Sequence, residues 1–307
     1  GAKVAVNYSA GRGHTFSIGA GYQYNAPTAA VSFAAPEMNN DFALNLKNER
    51  VLSTDFAYQY QSARVHINLN AYYNAINNVT EWQNFYFDDI NSFSYVSITG
   101  GKKAYYGVEA ALKYKVNSTF DIKLLGTVSE AKNTNDANVN YLNSTQGVYH
   151  EDKLLNKDMR ESGTPLTAAS AILSYHKKGW FIDLAGNYYD RIYLGYSLYY
   201  RYKSIGEKRG NVDSNGNVLR IAQDKGKGGF MLDASIGKSI YLKKGSLSIN
   251  LMLTNVLNNQ NIVTGGYEQS RSDFTASGNA RAYKFSRNPK KFYAYGTNGM
   301  LNITYKF

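Results

Sequence analysis

The segment Ser246–Thr254, with the sequence SLSINLMLT, places an apolar residue at every second position, at Leu247, Ile249, Leu251 and Leu253. Successive side chains of a β-strand point to opposite faces of a sheet, so a period of two residues is typical of a strand whose two faces differ. The segment therefore predicts a strand with one apolar face and one mainly polar face.

The same alternation recurs about eleven times along the chain, which predicts an all-β protein. Clear examples are the segments 65–74, 106–114, 120–129 and 230–237. The polar positions include charged residues in the middle of strands, which would form either the solvent face of a soluble sandwich or the interior of a membrane barrel. These charged residues are Asp55, Glu109, Lys113, Asp121, Lys123, Asp183 and Asp233.

The connections between the predicted strands alternate between short and long. Short turns are predicted at 10–13, 61–64, 116–119, 176–179 and 242–245. Long polar stretches lie between them, centred near Pro36, Asp88, Gly147, Gly216 and Thr275. Soluble sandwiches and barrels usually have short connections at both ends, whereas outer-membrane barrels combine short periplasmic turns with long external loops. The alternation therefore favours a transmembrane antiparallel up-and-down β-barrel.

The composition agrees with this prediction. The chain has 28 Tyr, 14 Phe and 27 Gly, no Cys, and a mean hydropathy of -0.44. It has no run of about eighteen apolar residues of the kind a transmembrane helix needs. Aromatic residues cluster where strands meet loops, which predicts two interfacial girdles. The girdle candidates are Tyr22, Tyr24, Phe56, Tyr58, Tyr60, Tyr188, Tyr189, Tyr199, Tyr200, Tyr202, Phe292, Tyr293 and Tyr295.

The net charge of +11 would fit a nucleic-acid partner if the cations shared one surface. The Lys and Arg residues are instead scattered through turns and loops, which is typical of a solvated surface. We therefore expect no nucleic acid among the partners.

The last predicted strand, 301–307, alternates apolar and polar residues and finishes on Tyr305 and Phe307. This ending resembles the C-terminal signal that the barrel-assembly machinery reads in outer-membrane proteins. Placing Phe307 on the periplasmic side also places every predicted short turn on that side.

Three stretches carry a more specific resemblance: 44–60 (LNLKNERVLSTDFAYQY), 253–259 (LTNVLNN), and 288–293 (NPKKFY) together with the last strand. They resemble TonB-dependent outer-membrane receptors of the Bacteroidetes type, and together they span most of the chain. About eleven strands are half of the roughly 22 that plugged transporters use. The resemblance therefore implies that residues 1–307 are the C-terminal half of such a barrel, with the plug domain and the N-terminal strands outside it.

The resemblance also implies a function, the energy-coupled import of a scarce solute such as a siderophore, oligosaccharide or peptide. The implied partners are the lipid bilayer and lipopolysaccharide, the receptor's own plug domain, and the TonB complex through the missing N-terminal part. Bacteroidetes glycan receptors also work with a surface lipoprotein lid, although nothing in the sequence demands one. No cofactor, metal or catalytic residue is expected.

Two alternatives remain open at this level. One is a self-contained outer-membrane barrel of about 10–12 strands that acts as a porin or an enzyme. A barrel enzyme could use His66, but this residue lies close to the short turn at Ser62, so a polar residue lining the lumen is the preferred interpretation. The other alternative is a soluble or surface-attached β-protein that binds a partner.

Two features of the loops are candidates for binding. Residues 211–217 (NVDSNGN) resemble the opening of a calcium loop, but Ala222 stands where the bidentate Glu would be, which favours a tight turn. Aromatic residues in the loops could stack on flat ligands. They are Trp82, Phe85, Tyr86, Phe87, Tyr141, Tyr149 and Tyr267.

Overall fold

The computed structural model describes residues 1–35, 39–87, 92–143, 147–268 and 289–307, without the side chains of residues 86, 87 and 92. Predicted loop centres Pro36, Asp88 and Thr275 lie outside these ranges. The strands are β1 (Ala2–Gly11), β2 (His14–Asn25), β3 (Glu49–Gln61), β4 (Val65–Phe87), β5 (Ser92–Lys115), β6 (Phe120–Asn133), β7 (Ala137–Asn143), β8 (Val148–Leu154), β9 (Pro165–Lys177), β10 (Trp180–Ile192), β11 (Gly229–Tyr241), β12 (Ser246–Thr254), β13 (Val263–Glu268), β14 (Pro289–Tyr293) and β15 (Asn298–Lys306). The helices are α1 (Ala29–Ser32), α2 (Lys203–Lys208) and a 3₁₀ turn (Tyr199–Arg201). None of the described helices is long and apolar enough to cross a membrane.

Eleven strands form one continuous antiparallel sheet in the order β1-β2-β3-β4-β5-β6-β9-β10-β11-β12-β15. Each strand pairs with the next along this path, so the predicted up-and-down topology and the predicted number of barrel strands are confirmed. The hairpin β7–β8 extends β5, and β13–β14 is a separate hairpin. Strands β1 and β15 are the two edges of the described sheet, which fits part of a larger barrel.

All five predicted short turns lie at the same end of the sheet, which we name the turn end. Close packing of neighbouring hairpins fixes two of their residues as glycine. A Cβ on Gly13 would lie 2.0 Å from the carbonyl oxygen of Gln61, and one on Gly179 would lie 2.4 Å from that of Ser239. Both glycines also have positive φ, 84° and 78°. Only glycine satisfies both conditions without strain.

The long connections lie at the opposite end, which we name the loop end. The polar stretch around Asp88 differs from the prediction of a long loop. Most of it is strand, because β4 and β5 continue as a hairpin of 23 and 24 residues. The outer part of this hairpin packs against other loops, with Val96 and Ile98 fully buried. Burial on the loop core therefore holds a polar sequence in strand conformation.

One face of the sheet is apolar across all eleven strands. The register aligns Val6 with Ile18 and Ile18 with Phe56 at one side of the sheet. Residues of this face are strongly exposed, with 59% exposure for both Val6 and Ile18. An apolar surface of this extent is not stable in water but is favourable against acyl chains. Further exposed members are Val4, Leu52, Leu69, Val108, Leu124, Leu173, Leu184, Ile236, Ile249, Leu251, Leu301 and Ile303.

Candidate functional site

The opposite face of the sheet is polar. It carries all eight polar residues that the sequence predicts to face a lumen: Asp55, His66, Glu109, Lys113, Asp121, Lys123, Asp183 and Asp233. The register explains this arrangement, since His66 lies opposite Lys113, and Lys113 opposite Lys123. Asp183 accepts a hydrogen bond from Ser174, and Asp233 accepts one of 2.8 Å from Asn187 Nδ2.

The polar face is concave. A hollow of about 370 Å³ is lined by residues from five neighbouring strands, β4, β5, β6, β9 and β10, including Asn70, Glu109, Ser170 and Asn187. Five neighbouring strands can share one hollow only if the sheet curves toward this face. His66 lies in a separate hollow at the turn end with Gln59, Gln61 and Ser62.

At the loop end, side chains from three connections form a compact apolar core. The outer β4–β5 hairpin, the β7–β8 hairpin and the segment 198–205 pack together. Tyr199, Tyr200 and Tyr202 lie in this core with exposures of 1%, 3% and 0%, so their prediction as girdle residues is wrong. Burial strongly raises the pKa of the Tyr202 phenol. Sequence clustering of tyrosines does not distinguish a membrane girdle from a loop core, because both need large amphipathic rings.

A buried ion pair joins two of the loops. Arg201 donates to Glu268 through Nη1 at 2.6 Å and through Nη2 at 2.9 Å, and both side chains are only 1% exposed. The carboxylate also accepts a hydrogen bond from the backbone N–H of Ser197. Arg201 further donates to the carbonyl of Ala222 and stacks on Tyr196. The pair therefore anchors the end of β13 to the β10–β11 connection.

A second charged cluster lies nearby, where Lys103 is held between Glu81 and Glu161. Its ammonium group contacts both carboxylates, with Glu161 Oε1 at 2.8 Å. Lys103 lies about a dozen residues from the nearest turn, beyond the roughly ten residues that span a membrane. Burial alone lowers the pKa of Lys103, but the charge of Glu81 and the hydrogen bonds to both carboxylates outweigh it and raise the pKa above its usual range.

Glu268 of the buried ion pair and all three residues of the Lys103 cluster line the same pocket of about 310 Å³ at the loop end of the polar face. We name it the loop pocket. Its wall combines carboxylates, amides and aromatic rings, a combination that can hydrogen-bond a polar solute and stack on it. The lining residues are Glu81, Gln83, Phe85, Lys103, Asn133, Arg160, Glu161, Ser162, Gly195, Tyr196, Ser197, Leu198, Tyr267 and Glu268.

The structure separates the predicted loop aromatics into two groups. Phe85 and Tyr267 line the loop pocket. The other described side chains make contacts between loop elements: Trp82 packs against the ring of Tyr95, Tyr141 stacks between His150 and Tyr202, and Tyr149 donates to Asp41 and accepts from Asn39. The side chains of Tyr86 and Phe87 lie outside the described part of the chain.

Most polar residues of the loop pocket were not predicted from the sequence. Lys103, Arg160, Glu161 and Glu268 stand in no recognisable motif, and Arg201 and Glu268 are 67 residues apart. The available signal was only that some of these charged residues stand beside aromatic ones, as Glu81 does with Trp82 and Glu268 with Tyr267. Which charges meet depends on how the loops fold onto one another.

Residues 211–217 form a tight turn. Asp213 accepts backbone hydrogen bonds from Asn215 and Asn217, and Gly216 has a φ of 82°. These bonds, with Asn217 foremost, lower the pKa of Asp213. Within the described ranges, no three His, Asp or Glu side chains are grouped as a metal site would require. The Asp213 carboxylate, a ligand candidate in the resemblance to a calcium loop, stabilises the turn through these hydrogen bonds.

An exposed ion pair attaches this loop to its neighbour, and it gives a prediction about pH. Arg220 donates to both oxygens of Asp136, at 2.8 and 2.6 Å. Burial raises the pKa of Asp136, but the hydrogen bond from Arg220 and the one from the backbone of Lys157 outweigh it, so the pKa is lowered. The attachment is thus complete above about pH 4 and is lost as the pH falls through the lowered pKa.

A spin label on a Ser214→Cys variant would measure this loss as increased loop mobility at acidic pH. The matched control is the same label in an Asp136→Asn background, which we expect to be mobile at every pH. Equal mobility of the two proteins near pH 6 would contradict the prediction.

Comparison with known proteins supports this geometry. Residues 2–256 match the family described as TonB dependent receptor-like, beta-barrel. Solved structures with the same fold include the copper transporter OprC (13% identity, TM-score 0.62), the ferric yersiniabactin uptake receptor FyuA from Yersinia pestis (15%, 0.57) and the FrpB iron transporter from Neisseria meningitidis (16%, 0.55). They align with 98%, 99% and 98% of this chain.

The chain spans only 38%, 37% and 39% of the length of these three structures. The comparison with curated proteins gives no match. The family match covers most of the chain, and proteins of this family reside in the bacterial outer membrane. The eleven-stranded sheet, its apolar outer face and the sequence match agree, and the chain belongs to the TonB-dependent receptor β-barrel family.

Proposed function

We propose that residues 1–307 form the C-terminal wall and outer loops of a receptor that imports a scarce solute across the outer membrane by energy-coupled transport. The observation that carries the proposal is the arrangement of the two faces. An apolar face fits the bilayer, the opposite polar face is concave, and the loops of one end fold around a polar pocket. The match to the receptor family supports it further.

The polar face has a defined role in this proposal. The eight predicted lumen residues contact water and the receptor's plug domain, which lies outside this chain. The mixture of carboxylates, lysines and amides suits a plug that must be held and then released, since exposed ion pairs contribute only about 0–1 kcal/mol each. TonB acts on the plug and not on this wall.

The loop pocket supplies part of the solute-binding surface. It lies at the outer end of the polar face, where an external solute arrives first. Transport is favoured over catalysis because His66 lies at the turn end, in a hollow separate from the loop pocket at which an external solute arrives.

Conductance of the full-length natural polypeptide in a planar lipid bilayer tests the proposal. A receptor closed by a plug is expected to show almost no steady current, and deletion of its plug domain is expected to open a large pore. A self-contained porin would conduct without any deletion. A steady open-pore current from the intact polypeptide would therefore overturn the receptor function and favour the porin alternative.

A further inference from the structure

The turn end carries a row of cations with almost no acidic residues near them. They occur in all five turns or directly beside them, and in the last strand. In the segments 10–15, 59–66, 113–121, 174–182, 238–248 and 302–307 the sequence contains one carboxylate, Asp121. Apart from Lys113, which belongs to the polar face, we name the Lys and Arg residues of these segments the turn-end cations: Arg12, Arg64, Lys115, Lys177, Lys178, Lys238, Lys243, Lys244 and Lys306.

The turn-end cations have no anionic partner in the described part of the chain. None of them forms an ion pair within the described residues. Cations of the loop end, such as Lys103, Arg201 and Arg220, form ion pairs with carboxylates. Asp121 is occupied differently, since it lies 3.8 Å from His176. All the turn-end cations except Lys238 are exposed. Positive charge is therefore neutralised within the protein at the loop end, but not at the turn end among the described residues.

The summed positive charge of this rim favours an anionic surface beside it. Strands of a sheet are about 4.8 Å apart, so consecutive turns lie about 10 Å from each other. That distance is slightly larger than the screening length of about 8 Å at physiological salt, so neighbouring cations repel one another only weakly, and together they attract an anionic surface that lies against them. Arg12 and Lys178 also occupy positive-φ turn positions, 50° and 51°, where Gly or Asn would be less strained. The hairpin turns need the positive φ at these positions, but they do not need the positive charge.

The position of three residues indicates which anion fits. The register places Trp180 between Lys177 and Lys238 in one row of the apolar face, beside the turns. The Lys238 ammonium lies 4.8 Å from the Trp180 ring and donates to the carbonyl of Lys178 at 2.7 Å. Its aliphatic stem thus lies along the acyl-chain surface while its charge reaches the turn, as lysines do at a membrane interface.

We propose that the turn-end cations bind the phosphate headgroups of anionic phospholipids in the leaflet that faces the turns. The inference rests on the proposed membrane location of the sheet. The acyl chains contact the apolar face, and the turn-end cations beside that face neutralise the charge of the phosphate headgroups. A soluble anionic partner would leave the Lys177–Trp180–Lys238 row without a function, because that row faces lipid.

The test uses the full-length receptor in vesicles, with a bimane fluorophore on a Leu242→Cys substitution in a background without other cysteines. Quenching by spin-labelled phosphatidylglycerol is compared with quenching by spin-labelled phosphatidylcholine. We expect the anionic lipid to quench about fivefold more effectively, the factor that one Lys or Arg near an anionic membrane contributes. The difference is expected to shrink strongly at 1 M salt, where the screening length is about 3 Å.

The variant Lys178→Gln, Lys238→Gln, Lys243→Gln, Lys244→Gln is expected to lower this ratio from about fivefold to about twofold, because Lys177 and Lys306 remain in place. The matched control replaces four exposed lysines of the loop end, Lys153, Lys157, Lys225 and Lys227, by Gln and should keep the ratio. Equal quenching by the two lipids in the original protein would overturn the inference. So would an equal decrease of the quenching ratio in both variants. A receptor that does not float with vesicles would instead overturn the proposed function.

Discussion

Replacing Leu251 by Arg is expected to lower the free energy of unfolding of the membrane-inserted receptor by about 2–4 kcal/mol. Leu251 lies on the apolar face between Ile236 and Leu301 and is 38% exposed. It follows Gly245 by about six residues, which at a rise of about 3.3 Å and a tilt of about 40° places it about 15 Å from the turn. That depth is near the middle of the bilayer, where a charge is least stable.

Unfolding by guanidinium chloride in lipid vesicles measures the effect. The matched control is Asn250→Arg, because Asn250 is the next residue of the same strand and points to the polar face, where its Oδ1 accepts a hydrogen bond from Ser235. We expect Asn250→Arg to lower the free energy of unfolding much less than Leu251→Arg does. If both substitutions destabilised the protein equally, the assignment of one face to lipid would be contradicted.

Replacing Glu268 by Gln is expected to destabilise the attachment between the β10–β11 connection and β13 by about 3–5 kcal/mol. Arg201 would then keep its charge in a site that is 1% exposed, and a buried charge without its partner carries a penalty of this size. The expected result is local opening of the loop pocket, because the pair lies outside the eleven-stranded sheet. Hydrogen exchange of residues 193–210 in the full-length receptor would measure the change.

The double variant Arg201→Met, Glu268→Leu is the informative control. Apolar residues of similar volume remove both charges, and such replacements are often neutral. We therefore expect the double variant to be closer to the original protein than Glu268→Gln is. If the double variant were the less stable of the two, the buried pair would contribute more than mutual neutralisation.

The sheet could be predicted from the sequence because its determinants are local. Alternation in segments such as Ser246–Thr254 fixes which side chains share a face, and this is the pattern that the register shows. Short turns were recognisable because Gly and Asn support the conformations they need, as at Gly13, Gly179 and Asn117. A one-residue slip would invert both faces, so a sequence of this kind specifies its register strongly.

The loop end could not be predicted to the same degree. The stretch around Asp88 was expected to be a loop, yet it is largely strand because Val96 and Ile98 are buried against the β7–β8 hairpin and the 3₁₀ turn. Tyr202 was expected in a membrane girdle and is instead buried among loops. Both errors have one cause, since tertiary packing overrides what a short polar or aromatic segment prefers on its own.

The sequence by itself determined the class of fold, the two faces of the sheet, the end at which the turns lie and the family. These properties depend on residues within about ten positions of each other, where periodicity and turn chemistry act directly. Only the tertiary structure decided which charges meet in the loop pocket, such as Arg201 with Glu268 and Lys103 with Glu161. Those partners are distant in sequence, and their contact exists only because the loops pack on one another and exclude water from the charges between them.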